Sequence, residues 1–288
     1  MKIAVISGKG GSGKSSVSAA FVALADRVVA VDCDVDASNL PLVFRHEVTA
    51  REKFASGDHL AIDPNRCIGC GLCVDHCAYG ALTLNAERVA VGDDLACEAC
   101  GLCVRLCGRQ AISLEQVAKS DIFRSTIEHG VLIHGNLYPG DDNSGKMIAR
   151  LRAVADQAME SAGIDLQILD GPPGIGCPVL STVTGVDRVV IVAEPTLSGI
   201  SDLGRAYRVA KSFCDQIFVV INKATINPEN TESIRRFCQE GRIEILAELP
   251  FDRRIVDAQV ACQPIVTFAP EAESSKALCR AFERITSR

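Results

Sequence analysis

The stretch "KIAVISGKGGSGKSS", residues 2–16, leaves this chain few folds to choose from. Its first six residues read as a short apolar strand, which runs into a glycine-dense loop and then a helical run to about Ala25. A second buried strand, "RVVAVD", follows at 27–32. Strand, glycine loop, helix and strand in that order make a parallel βαβ unit, because parallel neighbours need a long crossover. The alternation resumes downstream, where "LQILDG" (166–171), "DRVVIVAE" (187–194), "QIFVVIN" (216–222) and "RIEILAEL" (242–249) read as buried strands. Amphipathic helices are predicted between them near 144–162, 199–213, 230–240 and 253–260, and a last one over 272–286. The modest apolar face of that last helix marks it as a packing helix and not a membrane one. The expected fold class is α/β, a doubly wound, mostly parallel sheet.

The pattern breaks at about 45–118, where "CIGCGLCVDHCAYGAL" (67–82) is followed by a near copy, "CEACGLCVRLCGRQAI", from Cys97. This repeat has glycine-rich turns and chemistry of its own. It reads as a small α+β domain, residues 57–115, inserted in a surface loop of a domain formed by 1–56 and 116–288. Residues 57–115 carry eight acids against four arginines, a net −4 within a chain of −6. That balance gives no reason to expect a nucleic-acid surface. No apolar run approaches the ~18 residues of a membrane span, so stable membrane insertion is not expected. The chain has 14 cysteines and no secretory signal, so a cytoplasmic setting with metal or redox chemistry is expected over a disulfide framework.

Gly8 and the "GKS" at 13–15 fit G-x-x-x-x-G-K-[ST]. Gly8, Gly10, Gly11, Ser12 and Gly13 would turn backbone N–H groups towards phosphate oxygens, and Ser16 would continue that cradle into the helix. Lys14 would neutralise the β- and γ-phosphates, and Ser15 would ligate Mg²⁺. Asp34, just past a strand and beside the loop, can orient an attacking water. Asp170 ends another buried strand. Asp32 and Asp36 read as capping or solvent-facing residues.

Lys9 adds a further feature, since "KGGSGKS" resembles the deviant phosphate loop of the MinD/ParA class of P-loop ATPases, the CobQ/CobB/MinD/ParA nucleotide-binding group. That class includes the nitrogenase iron protein, the Mrp-type cluster carriers and the cobyrinic acid diamide synthase-like enzymes. The resemblance spans nearly the whole chain outside the insertion. It implies ATP or ADP with Mg²⁺ as ligands, an ATP-sandwich dimer, and a Lys9 that reaches the partner's nucleotide. It makes "VDCDVDASNL" (31–40) switch I, with Asp34 on the water, and "ILDGPPGIG" (168–176) switch II, with Asp170 near Mg²⁺. It places Asn222 of "VINK" at the adenine, and Pro250 and Asp252 of "LPFD" in the loop over the base.

Cys67, Cys70, Cys73 and Cys77 follow C-x2-C-x2-C-x3-C, and so do Cys97, Cys100, Cys103 and Cys107. Two such runs resemble the bacterial two-cluster ferredoxins, in which each fourth cysteine ligates the other cluster. The resemblance implies one 4Fe–4S cluster on Cys67, Cys70, Cys73 and Cys107, and a second on Cys97, Cys100, Cys103 and Cys77. The usual proline after the fourth cysteine is replaced by Ala78 and Gly108. Zinc is the alternative for paired C-x2-C motifs, and the third and fourth cysteines of each run argue against it. A purely structural cluster stays open. His76 reads as a residue that tunes or shields a cluster.

Cys177 lies seven residues past Asp170, where the nitrogenase iron protein has a ligand of its intersubunit cluster. Asn143 stands where the second ligand of that pattern would be, so a permanent bridging cluster is not expected. Cys177 reads first as a buried structural cysteine, with a transient cluster, a metal or a disulfide at a two-fold axis as alternatives. The expected function is an ATPase that couples nucleotide state to electron transfer through two clusters. The alternative is a nucleotide-dependent cluster carrier or redox-sensing switch. Expected partners are a second copy or a similar protein in a dimer, and an unidentified redox or cluster-acceptor protein.

Overall fold

The computed structural model describes residues 1–55, 57–139 and 144–287. In chain order its first elements are β1 (Lys2–Ser7), α1 (Lys14–Leu24), β2 (Val28–Asp32), α2 (Leu40–Val43), β3 (Glu47–Phe54) and β4 (Asp58–Ile62). Then come α3 (Leu72–Asp75), β5 (Leu82–Leu84), β6 (Ala90–Gly92), α4 (Leu102–Leu106), β7 (Ile112–Gln116), β8 (Ser120–Ile127) and β9 (Gly130–Asn136). The rest are α5 (Ser144–Ala162), β10 (Gln167–Pro173), α6 (Cys177–Val183), β11 (Arg188–Ala193), α7 (Leu197–Lys211), β12 (Ile217–Ile221), α8 (Pro228–Glu240), β13 (Glu244–Glu248), α9 (Arg254–Val260), α10 (Ile265–Phe268) and α11 (Glu273–Thr286).

Two compact units emerge. The first, residues 1–52, 122–136 and 144–288, is built on a nine-stranded sheet of order β13-β12-β11-β1-β10-β2-β9-β8-β3. Six successive pairings, from β13 to β9, are parallel. Those strands are nearly continuous runs of Val, Ile, Ala and Leu because helices cover both faces. On one face α1 packs against α10 and α11, and on the other α5, α6, α7 and α8 follow one another. Val17, Phe21, Leu278, Ala281 and Ile285 knit α1 and α11 into the core, with the Phe21 and Phe282 ring centroids 5.7 Å apart. Burying each such side chain contributes about 1.5–3 kcal/mol. No helix among the described residues is long and apolar enough to cross a membrane.

The mostly parallel α/β sheet agrees with the expected class, and every strand read from the sequence is present. Three strands of the same sheet escape that reading. β3 (EVTAREKF) is an edge strand, almost wholly exposed, so it carries no apolar alternation. β8 and β9 are joined by only two residues, Glu128 and His129, which places them as a hairpin. His134 and Gly135 break the apolar run of β9.

The second unit comprises residues 53–121 and 137–143. β4 and β7 pair antiparallel from Asp58–Gln116 to Ile62–Ile112, and β5 pairs antiparallel with β6. The repeat is visible in the backbone. α3 and α4 each start at a left-handed glycine, Gly71 at φ 82° and Gly101 at φ 74°.

Candidate nucleotide site and thiol cavities

In an open parallel sheet, ligands gather beyond the carboxyl ends of the strands. Here a cavity of about 520 Å³ opens there, lined by the loops after β1, β2, β12 and β13. Of the residues picked out by sequence, Gly10, Gly11, Ser12, Gly13, Lys14, Ser15, Ser16, Asp34, Asn222, Pro250 and Asp252 line it. Gly8, Lys9 and Asp170 do not. Gly8 packs against Asp202, where a Cβ would meet that side chain at 2.5 Å. Gly13 begins α1 at φ 91°, and a Cβ there would meet the Asn222 amide at 2.1 Å. Only glycine satisfies both conditions at position 13.

Lys14 and Asp170 form a buried pair beneath the cavity, Nζ to Oδ1 at 3.0 Å, and Ser18 Oγ donates to the same oxygen at 2.7 Å. Burial alone would lower the Lys14 pKa. The carboxylate of Asp170, aided by Asp32 and Asp34, outweighs it and holds the ammonium above its ordinary value. Asp170 Oδ2 is buried with no hydrogen-bond partner among the described residues, and so is Ser12 Oγ. Lys14 Nζ also donates to Ser15 Oγ at 3.3 Å, so this serine and the Asp170 carboxylate share one ammonium. An orphaned carboxylate oxygen on such a pair is the chemistry a divalent cation satisfies. The fit to Mg²⁺ therefore holds on this chain's own atoms.

Asp34 is half-buried and its carboxyl is raised, chiefly by burial. Asp32 is buried and ties down the segment 34–40. It accepts from Asp34 N at 3.0 Å, Ser38 Oγ at 2.8 Å and Leu40 N at 2.9 Å. Burial and then the nearby Asp170 push its carboxyl up to about 7. Asp36 is exposed. The Asn222 side chain donates to Ser12 O at 2.8 Å and accepts from Lys223 N at 2.9 Å, so it also braces the phosphate loop. Asp252 is held by Arg254 Nη2 at 2.8 Å, which keeps its carboxyl below the usual range.

Sequence reasoning missed the apolar part of the lining: Leu42, Val43, Phe251, Ile255 and Val256. Such residues belong to no motif. The signal available was Phe251, a large aromatic beside Pro250 that is 59% exposed.

In the second unit, one cavity of about 340 Å³ is lined by Cys67, Cys70, Cys73 and Cys107. A tighter one is lined by Cys77, Cys97, Cys100 and Cys103, with Cys73 and His76 at its wall. Each cavity thus draws thiols from both cysteine runs, and Cys73 lines both. Among the described residues, no three His, Cys, Asp or Glu side chains converge as a ligand set for a metal ion. Backbone donors reach two of the sulfurs: Ala90 N to Cys67 Sγ at 3.5 Å and Ala111 N to Cys107 Sγ at 3.3 Å. Burial raises the Cys73 and Cys103 thiols. His76 Nδ1 donates to Leu72 O, 3.0 Å away.

Cys177 is exposed at the start of α6, which corrects the reading of a buried structural cysteine. The position of Asn143 lies outside the described residues. Of the other lone cysteines, Cys33, Cys214 and Cys238 are buried, Cys279 is half-buried and Cys262 is exposed.

The model of the CobQ/CobB/MinD/ParA nucleotide binding domain matches residues 3–265. The chain belongs to this family. Within it, the uncharacterized protein MJ0578 of Methanocaldococcus jannaschii is 37% identical over 243 residues, 80% of each chain. A Saccharolobus solfataricus iron-sulfur cluster carrier protein is 23% identical over 292 residues, 96% of this chain and 79% of that one. Among solved structures, the cell division ATPase MinD of Pyrococcus furiosus superposes with a TM-score of 0.58 at 19% identity. It covers 99% of this chain and 97% of its own, and at that identity it shows the fold. Family membership makes this a nucleotide-binding chain, and Gly10–Ser16 line the cavity at the carboxyl ends of its strands.

Proposed function

We propose that this chain is an ATP-binding and ATP-hydrolysing iron–sulfur protein in which nucleotide state is coupled to electron transfer through two 4Fe–4S clusters. The observation that carries the reading is the crossed lining of the thiol cavities, with Cys107 beside Cys67, Cys70 and Cys73, and Cys77 beside Cys97, Cys100 and Cys103. Four thiols line the larger cavity, two of them with backbone N–H groups aimed at sulfur. The tighter one has Cys77, Cys97, Cys100 and Cys103 plus the shared Cys73. Thiol sets of this size suit sulfur-bridged iron clusters. Such a cluster supplies reversible one-electron storage. The chain's own part is to hold it: the thiolates anchor it, and the amides of Ala90 and Ala111 offset negative charge on Cys67 and Cys107.

In the first unit, phosphate competes with Asp170 for the Lys14 ammonium. With Lys14 turned to phosphate, Asp170 and Ser15 would hold Mg²⁺, while Ser18 Oγ keeps its hydrogen bond to Asp170 Oδ1 and so fixes the carboxylate. Asp34 orients water towards the γ-phosphate and its raised carboxyl suits it to accept a proton. The apolar wall of Phe251, Ile255 and Val256 beside Pro250 covers the base. Two such chains close on nucleotide as a dimer. Switch I leads through α2, which itself contributes Leu42 and Val43 to the cavity, into β3 and the cysteine-bearing residues. That continuity gives nucleotide state a covalent route to the clusters.

The test is an anaerobic redox titration of reconstituted protein followed by EPR, with and without Mg-ATP, on wild type and Lys14→Ala. A coupling of ~1.4 kcal/mol moves a one-electron midpoint by about 59 mV. A shift confined to wild type is the expected result. Unchanged potentials sink the coupling. The cluster-carrier reading, favoured by the name of the Saccharolobus relative, predicts instead ATP-dependent loss of iron to an apo-acceptor.

A further inference from the structure

Lys9 is already engaged within its own chain. Its Nζ lies 2.9 Å from Glu194 Oε2 and donates to Thr196 Oγ1 at 3.0 Å. The second carboxylate oxygen, Oε1, lies 2.9 Å from Lys223 Nζ, which also donates to Gly11 O at 3.3 Å. Glu194 directly follows β11, and its side chain is only 12% exposed. Burial would raise its carboxyl, but the two lysines outweigh that and hold it below the usual range.

One acid thus serves two ammoniums, one from the loop after β1 and one from the loop after β12. The phosphate-loop motif does not demand it, because the motif's own lysine, Lys14, pairs with Asp170. The clamp is also braced. Gly199 sits so close to Glu194 O that a Cβ would meet it at 2.1 Å, which fixes the first turn of α7 against this residue. Lys223 holds a left-handed backbone at φ 56°, a conformation unusual for a side chain of this kind. A phosphate chain is the natural competitor for both lysines, because it offers the same charge with more acceptors.

We propose that Glu194 is a positioning residue that holds Lys9 and Lys223 in the nucleotide-free chain, and that nucleotide-driven association must draw Lys9 away from it. The inference rests on the reading of an ATP-dependent dimer in which Lys9 serves the partner's nucleotide. It assigns to Glu194 the setting of the threshold for that dimer. The pair is a partly buried ion pair, so its removal is expected to act at the scale of a single charge-assisted hydrogen bond.

The experiment is sedimentation velocity on the full chain across a protein dilution series, with Mg²⁺ and a slowly hydrolysed ATP analogue. It compares wild type, Glu194→Gln, Lys9→Met and the double variant, with binding of the analogue followed in parallel by calorimetry. Glu194→Gln is expected to dimerise at roughly fivefold lower protein concentration than wild type. Lys9→Met should dimerise poorly, and the double variant should match Lys9→Met, since the gain runs through Lys9. Equal or weaker dimerisation of a normally folded Glu194→Gln overturns the inference, and so does a gain that survives in the Lys9→Met background. Wild type that binds the analogue but stays monomeric removes the dimer reading and the inference with it. A gain missing only from Glu194→Gln removes the inference alone. Should Glu194→Gln melt early, Glu194→Asp, too short to span both lysines, carries the same test. It is expected to show a smaller gain, and no gain overturns the inference.

Discussion

Position 69 and position 99 are the same place in the two cysteine loops, yet one is glycine and the other alanine. Gly69 has φ 65°, and a Cβ there would meet Arg88 O at 2.2 Å, while Arg88 Nη2 donates to Gly69 O at 3.0 Å. Ala99, at the matching position, holds φ 47° with a Cβ already in place. A left-handed L-residue costs roughly 1–2 kcal/mol, partly recovered because alanine loses less freedom on folding than glycine. Ala99→Gly should therefore raise stability by about 0.5–1 kcal/mol, whereas Gly69→Ala should lower it by more than that. Urea unfolding of the two variants checks the opposite signs, and equal effects would contradict the asymmetry. His134 offers a second test at this scale. It is buried against Phe123, whose ring centroid is 5.1 Å away, and its Nε2 lies 3.3 Å from Ser125 Oγ. Burial, then the neighbouring His46, lowers its pKa to about 4. Between pH 4 and the unfolded value near 6.5 the unfolded chain binds the extra proton. Stability from this group is thus complete above about pH 6.5 and falls as pH drops towards 4, by on the order of 2–3 kcal/mol. His134→Phe should flatten that limb of the stability–pH curve.

Among the elements, legibility followed burial and motif. The strands between helices carry apolar centres, such as the Val- and Ile-rich runs of β1, β2, β11 and β12, and their sequences announce them. β3 lies at the sheet edge with five exposed residues in its first five, so neither period nor hydropathy reveals it. The phosphate loop was legible because its glycines answer to close contacts, as Gly13 does with Asn222. Glu194 was not, since an acid at a strand end has many ordinary uses, and only the positions of Lys9 and Lys223 give it meaning. The C-terminal helix was legible as a packing element from its apolar spacing. α11 buries Leu278 to 1% exposure and sets it in the same cluster as Phe21 and Val17. Leu278→Ala should cost about 2–4 kcal/mol in thermal or urea unfolding, the transfer of the lost methyls plus the cavity left behind. A cost below ~1 kcal/mol would mean that α11 is docked weakly, and would reopen its role.

For the whole molecule, the arrangement of chain ends decides how separable its two chemistries are. Asp58 pairs with Gln116 across β4 and β7, so the cysteine-bearing residues leave and return at one point. β3 and β8, which flank that point in sequence, are neighbours in the nine-stranded sheet. Nothing in the sheet requires the intervening residues to span a gap, which is the geometry that tolerates an insertion. Replacing 58–116 by an Asn-Gly turn should therefore leave a chain that folds and binds nucleotide within a few-fold of wild type. Some stability will be lost, because Tyr138, whose N donates to Ser120 Oγ at 2.9 Å and whose ring meets His59, belongs with the second unit. The truncated chain should take up no iron on reconstitution, while the full chain takes up two clusters. Iron retained after truncation would place a metal site among the remaining cysteines, with exposed Cys177 the first to substitute. Loss of nucleotide binding in a folded truncation would show that the second unit completes the nucleotide site, and that the nucleotide and iron functions are one cooperative structure instead of two joined ones.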